Sequence, residues 1–263
     1  MSLRSLRAPL VLVRASVLSS LQYRGDFVFE ALRALFEVAW TLVPLLVVFG
    51  QRATIAGWSL SEALLVTAWF TALKAVLEGI ITPSLVSTIE QIRRGTFDFV
   101  LLKPIDAQLL ASVGKVSIYS AADVLSAGGL VAFALHRLHF VPTPGAVLTS
   151  LLLSIAAAAI LYSINLAALS VAFYVARIDN LAYLLAALFD AARWPSTVFR
   201  GAARVLFTFV LPLGLMTTFP PLALLGRLSA RSVAIATGAA IVGLVASRRI
   251  WVRALRAYRS AGG

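Results

Sequence analysis

Residues 89–106 read IEQIRRGTFDFVLLKPID, a compact polar interruption between two long apolar runs. Leu85, Ile89 and Ile92 recur at i, i+4 and i+7, while Ser87, Glu90, Gln91, Arg93 and Arg94 fall elsewhere around the helix. That spacing predicts an amphipathic helix. Arg93 and Arg94 close its last turn, where cations complement the helix dipole. Gly95 stands where a left-handed, helix-ending residue belongs. Thr96, Phe97 and Asp98 follow, and Pro104 stops any continuation into the next apolar run. On these grounds the stretch is either a short helix along the membrane surface with a polar face in water, or an ordinary loop.

Outward from it, the chain is mostly hydrocarbon. Apolar residues make up 60% of 263 positions and charged residues 13%, against about 25% charged in a soluble domain. Mean hydropathy is +0.94. So little charge cannot cover soluble cores, and lipid is the expected solvent. There is no cysteine, which excludes disulfides and thiolate metal sites. The two histidines, His136 and His139, are too few for a His-rich zinc site, and no metal site is expected. The formal charge of +12 is concentrated at the chain ends and between apolar runs. That pattern suits anionic headgroups and not nucleic acid, for which no binding signature occurs.

A membrane-crossing helix needs about 20 mainly apolar residues. Six candidates lie near 28–50, 60–82, 108–135, 146–175, 181–194 and 230–250. The runs are continuous and not alternating, so helices are expected and a β-barrel is not. The predicted class is an all-α integral membrane protein forming one domain. Before the first span, Leu3, Leu6, Leu10, Val13, Val17 and Leu21 form a helical stripe flanked by Arg4, Arg7 and Arg14. Residues 1–26 are therefore expected to be an amphipathic helix in the headgroup plane.

With the amino end inside, thirteen Lys and Arg fall in cytoplasmic segments, seven in outer ones, and Arg33, Lys74 and Lys115 within spans. The bias predicts both termini inside, with 83–107 and the tail 251–263 cytoplasmic. The outer stretch 195–229 is apolar yet broken by Pro195, Pro212, Pro220 and Pro221. Short helices dipping into the outer leaflet fit it, shielded by protein; the alternative is one kinked span and seven crossings. Ionisable residues at bilayer depth mark candidate pathway positions. Here they are Glu37, Lys74, Glu78, Asp123 and Asp190, with Lys115 near the interface. Lys74 and Glu78 form an i, i+4 pair; Glu37 and Asp123 have no local partner evident in the sequence. Asn165 is expected to bond a neighbouring helix.

The run 94–115, RGTFDFVLLKPIDAQLLASVGK, resembles the signature of the type-2 ATP-binding-cassette permease family. The matching positions are Arg94, Gly95, Thr96, Asp98, Leu101, Leu102, Pro104 and Lys115. The Lys103-Pro104-Ile105-Asp106 tetrad, the proline-punctuated outer region and the tail 255–262 resemble a subgroup of small bacterial permeases. The resemblance implies a six-span half of an exporter in the bacterial inner membrane. It implies a cytoplasmic coupling helix within 83–107, contacting an ATPase through Ile89, Glu90, Gln91, Ile92, Arg93, Arg94, Gly95, Thr96, Phe97 and Asp98. Glu90, Arg93 and Arg94 would be polar contacts, and Ile89, Ile92 and Phe97 apolar anchors, with motion passed to spans one, two and five. It implies an outer gate of re-entrant helices around Pro195, Pro212 and Pro220. Two ATPase copies and a second, related permease half would complete the assembly. No G-x-x-x-x-G-K-[ST] loop occurs in the chain, so ATP and Mg are expected on the ATPase and no cofactor on this non-catalytic subunit. The rival readings are a membrane-embedded lipid-processing enzyme and an ion-coupled secondary transporter. The acids are scattered and no inverted repeat is evident, which favours neither.

Overall fold

Backbone groups in hydrocarbon must bond within their own segment. The apolar runs are accordingly helical in the computed structural model, which describes residues 24–117, 120–174, 179–207 and 211–258. Helix α1 (Arg24–Gln51) contains Pro44. Its outward face carries Phe29, Leu32, Leu35, Phe36, Trp40, Val43 and Leu46, all exposed as a lipid-facing helix requires. The expected interfacial helix of residues 1–26 lies outside the described residues, apart from its last three, which begin α1.

A tight hairpin follows, β1 (Thr54–Ile55) pairing antiparallel with β2 (Trp58–Ser59). Its turn residues Ala56 and Gly57 both have positive φ, at 49° and 84°, the twist that suits a two-residue hairpin. Ser59 then starts α2 (Leu60–Val76) through a capping box with Glu62.

Helix α2 does not stop where the second span is expected to end. It passes through a π-helical turn (Leu77–Ile81) into α3 (Thr82–Arg93), giving one apolar helix over Leu60–Arg93. Thirty-four residues extend about 50 Å at 1.5 Å each, well beyond the ~30 Å hydrocarbon. The segment expected to be a separate surface helix therefore begins as a continuation of the span. Pro83 explains the π turn. It has no N–H to give the carbonyl four residues back, which is Gly79, and its ring crowds that carbonyl. The freed Gly79 carbonyl accepts instead from Ser117 N at 2.7 Å.

The expected third span, 108–135, is two helices. After α4 (Asp98–Leu101) come α5 (Ala107–Val113) and α6 (Ala121–Arg137). Between α5 and α6 the backbone crosses the π turn. Ser84 Oγ donates to the Lys115 carbonyl at 2.7 Å and accepts from Lys115 N at 3.3 Å, replacing helical bonds.

Helix α7 (Pro144–Val171) is the central post, packed by α11 (Ala230–Ala257), by α10 (Phe219–Leu224) and by α2. Gly243 of α11 sits so close to Ser163 that an added Cβ would lie 3.3 Å from it. This is the close approach that small residues permit. Asn165 is buried, but its amide donates to the Leu161 carbonyl of its own helix at 2.8 Å, not to a neighbour.

The expected fifth span is α8 (Asp179–Phe189) followed by a 3₁₀ turn (Asp190–Arg193). The eleven described residues of this helix span ~16 Å. Beyond Pro195 come a second 3₁₀ turn (Ser196–Val198), α9 (Gly201–Val205) and a π turn (Gly214–Thr218) leading into α10. Side chains satisfy this broken backbone. Thr217 donates to the Ala192 carbonyl, Ser150 to that of Pro220, and Thr218 Oγ1 accepts from Ser196 N. The expected tail 251–263 continues α11 to Ala257, with Trp251 fully buried. Among the described residues, four helices are long and apolar enough to cross a membrane. The described residues are mostly helical, with one two-stranded hairpin, as an all-α membrane protein requires.

Candidate functional site

The segment after α3 is held by backbone bonds before any tertiary contact acts. Gly95 takes φ 70°, and the Gln91 carbonyl accepts from both Thr96 N and Phe97 N, at 2.9 and 3.1 Å. Those bonds satisfy the end of the helix and turn the chain into α4. Glu90 and Arg94 form an exposed i, i+4 ion pair beside exposed Arg93. Gln91 is half-buried and donates to Ser87.

The apolar members of this segment divide in a way the sequence does not announce. Ile89 and Ile92 pack against the protein's own core. Phe97 is fully buried, its ring edge-to-face with Phe173, Trp251 and Tyr258 at 5.7, 6.3 and 5.8 Å. It anchors the segment from within and is not available to touch a partner. Burial, with the Asp98 carboxylate beside it, pushes the Tyr258 phenol up. The apolar side chains that face outward most are Phe99, 68% exposed, and Leu102, 80% exposed, with Leu101 less so. They stand beside exposed Lys103 and Pro104. Their i, i+3 spacing was the available signal.

The loop returns to the protein at Asp106. Its carboxylate caps α5 by accepting from Gln108 N and Leu109 N. It also takes both ends of the Arg248 guanidinium, at 3.0 and 2.6 Å. Arg248 donates further to Gln108 Oε1 at 2.7 Å; Gln108 Nε2 donates to the Tyr162 hydroxyl at 2.9 Å, and Ser112 Oγ lies 2.7 Å from that hydroxyl. The Arg248 guanidinium, bonded to Asp106, holds that carboxyl below the ordinary carboxylate range, against a smaller opposing effect of burial. Arg248, Trp251 and Tyr258 lie along α11 and its end. Two separate contacts, one aromatic and one ionic, therefore fasten the 94–106 segment to the last helix. The contacts run to α7 and α11, which sequence reasoning did not single out.

A second cluster lies within the spans. Arg33 contacts Glu37 at 2.7 Å, Asp123 at 3.3 Å and Glu78 at 4.0 Å. Lys74 contacts Glu37, and Glu78 at 3.6 Å. Glu37 thus meets Lys74 from another helix as well as Arg33 of its own, and Asp123 meets Arg33 from another helix. Arg33 itself belongs to the cluster, a role its i, i+4 spacing to Glu37 could have flagged. Asp190 stands apart, paired with Arg193 at 3.7 Å, whose guanidinium lies 5.7 Å from the Phe70 ring centroid. Of the outer prolines, Pro195 and Pro220 are buried and Pro212 is half-buried. Among the described residues, no three His, Cys, Asp or Glu stand together as a metal site.

Compared with known proteins, the chain matches a family model described as "ABC-2 family transporter protein" over residues 35–262. No curated protein and no solved structure matches it.

Proposed function

The chain belongs to the ABC-2 transporter family, and from that premise we propose that it is the permease subunit of an exporter driven by a separate ATPase. The observation that carries this reading is the 89–106 segment. It continues a helix longer than the hydrocarbon, is locked to α11, and carries Glu90, Arg93, Arg94, Phe99 and Leu102 exposed on its surface. Apolar side chains in water, ringed by charge, suit a cleft on another protein.

In this reading two ATPase copies hold ATP and Mg and close on one another during the cycle. The segment seats in the ATPase, with Gln91, Gly95, Thr96 and Asp98 shaping its turn and Ile89, Ile92 and Phe97 stiffening it from inside. Closure moves α3 and, through Phe97–Trp251 and Asp106–Arg248, α11 with it. The coupling energy is the difference in contact between segment and ATPase in the two states. Six crossings place both termini in the cytoplasm of a bacterial inner membrane, with α6 and the 179–194 region completing the set. The proline-broken stretch around Pro195, Pro212 and Pro220 forms the outer gate as re-entrant turns. The Arg33, Glu37, Lys74, Glu78 and Asp123 cluster borders the pathway, with Asp190 nearer its outer end. A second, related permease half supplies the opposite wall, and substrate moves outward.

The test is co-purification with ABC ATPase chains of the same cell, followed by ATPase assay of the complex in proteoliposomes. Arg93→Glu with Arg94→Glu, and separately Phe99→Ser with Leu102→Ser, change exposed side chains. Each pair should weaken assembly or lower permease-stimulated ATP turnover by tenfold or so, the equivalent of about 1.4 kcal/mol. Unchanged assembly and turnover in both would sink the assignment.

A further inference from the structure

The end of the bundle away from the 94–106 segment carries a charge that neither the packing nor the coupling scheme uses. Stretches 51–62, 136–147 and 194–232 hold six arginines, Arg52, Arg137, Arg200, Arg204, Arg227 and Arg231, against one acid, Glu62. Tertiary contacts bring these stretches together. Trp58 Nε1 donates to Thr197 Oγ1 at 3.1 Å, tying the hairpin to the 196–198 turn. Leu64 and Leu65 share a core cluster with Leu130, Ala134 and Leu225, which joins the start of α2 to the end of α6 and the turn after α10. Ala236 of α11 packs with Ala223 of α10 and Leu153 of α7. The helix Leu60–Arg93 puts about 50 Å between this end and the coupling segment.

Most of the charge there is left over. Arg227 is spent on Glu62, a carboxylate only 6% exposed. Asp190, the next nearest acid in the chain, is held by Arg193. Arg52, Arg137, Arg200 and Arg231 are all exposed, and none has a carboxylate partner among the described residues. Arg137 rests instead over the Phe133 ring, 5.9 Å from its centroid. Arginines on the outer side oppose the bias that orients the chain, and no ion pair within the protein offsets these four.

Such a group of charges has a definite effect. Packed helices stand about 8–10 Å apart, close to the ~8 Å Debye length of physiological salt, so neighbouring charges merge into one positive field. A field of one sign concentrates ligands of the other. Guanidinium groups match phosphate and carboxylate in two-point hydrogen bonds. The field also stands at the proline-broken 195–229 stretch, the irregular backbone that the transport reading makes the outer gate. An anion emerging there meets guanidinium groups without carboxylates; a cation is repelled.

We propose that the cargo is anionic, bearing a phosphate or carboxylate group that this basic end receives as it leaves the outer gate. The proposal rests on the transport reading and names the substrate class within it. Because the arginines are exposed and salt-screened, the anion is held weakly and released to the outside.

The test measures permease-dependent ATP turnover of the complex with its ATPase in phosphatidylcholine proteoliposomes, against octyl phosphate, octyl glucoside and octyltrimethylammonium. Octyl phosphate should raise turnover; the neutral and cationic probes should not. Arg52→Gln, Arg200→Gln and Arg231→Gln combined should raise its half-maximal concentration about tenfold, the lower end of what charge focusing gives. Arg52→Lys, Arg200→Lys and Arg231→Lys combined should restore most of that loss. At about 1 M salt, where the Debye length is ~3 Å, the glutamine variant and wild type should converge. Octyl phosphate without effect, an equal response to the cationic probe, or an unshifted half-maximal concentration in the glutamine variant would each overturn the proposal and leave coupling intact. Turnover that follows added phosphatidylglycerol but not octyl phosphate would assign the arginines to lipid headgroups and overturn it as well. Complete absence of permease-dependent turnover would be a failure of the transport reading itself, and the substrate class would fall with it.

Discussion

Asp106 does two jobs with one carboxylate, and substitution can separate them. It caps α5 through two backbone N–H groups and pairs bidentately with Arg248. Asparagine preserves the cap, since Asn and Asp cap equally well, and loses only the charge pair. Alanine loses both. The pair is nearly half exposed on each side, so solvent screening limits it to a few tenths up to about 1 kcal/mol; a lost cap costs about 1 kcal/mol more. Thermal or denaturant melts should therefore rank wild type above Asp106→Asn above Asp106→Ala. The Arg248 contact lowers the folded-state carboxyl pKa. Its contribution is thus fully present above the unfolded value of about 3.9 and disappears as pH falls through the depressed folded value. The gap between wild type and Asp106→Asn should be flat at neutral pH and close only in that acid window. A gap that widens on acidification would mean the carboxylate is not held by Arg248 as described.

At the scale of elements, the junction of α2, the π turn and α3 is the feature on which the packing of Lys115, Ser117 and Ser120 depends. A Cβ added to Gly79 would lie 2.1 Å from Ser120 Oγ and 2.8 Å from Ser120 Cβ. Overpacking at a tight site costs about 1–3 kcal/mol. Gly79→Ala should destabilise by that order, and Ser120→Gly in the same chain should restore most of the loss, because it removes both clashing atoms. No rescue in the double variant would show that Gly79 serves its backbone conformation and not this approach. The same junction shows what could be read in advance. Apolar runs long enough to cross a membrane are visible in composition alone, as is the Gly95 turn that ends α3. Pro83 was visible too, yet whether a proline breaks a helix or bends it into a π turn depends on whether another group takes the freed carbonyl. Here that group is Ser117 N, 38 positions later. Phe97 was unreadable for a related reason. Its burial depends on Phe173, Trp251 and Tyr258, which no local spacing connects to it. The i, i+3 spacing of Phe99 and Leu102 was legible, but that this pair faces out and Phe97 in follows only from those distant partners.

The whole molecule is defined by how its helices sit across the bilayer, and the chain is well suited to measuring that. It contains no cysteine, so single cysteines can be placed without background. Leu102 at the 94–106 segment and Val141 in the turn between α6 and α7 are 80% and 88% exposed, so neither substitution disturbs the core. Surface changes of this kind usually stay within about 0.5 kcal/mol. They lie at opposite ends of the molecule if α3 and α6 run as the positive-inside bias requires. In intact cells a membrane-impermeant maleimide should label Val141→Cys and spare Leu102→Cys; after the membrane is opened, both should react. The inverse pattern would place the 94–106 segment outside, where no nucleotide is available, and would end the ATPase-coupled reading together with the topology. Labelling of both sites in intact cells would show that the two ends share a side, so that the number of crossings between them is even. One such crossing, α6, is what the proposed topology requires, and this pair of cysteines tests it directly.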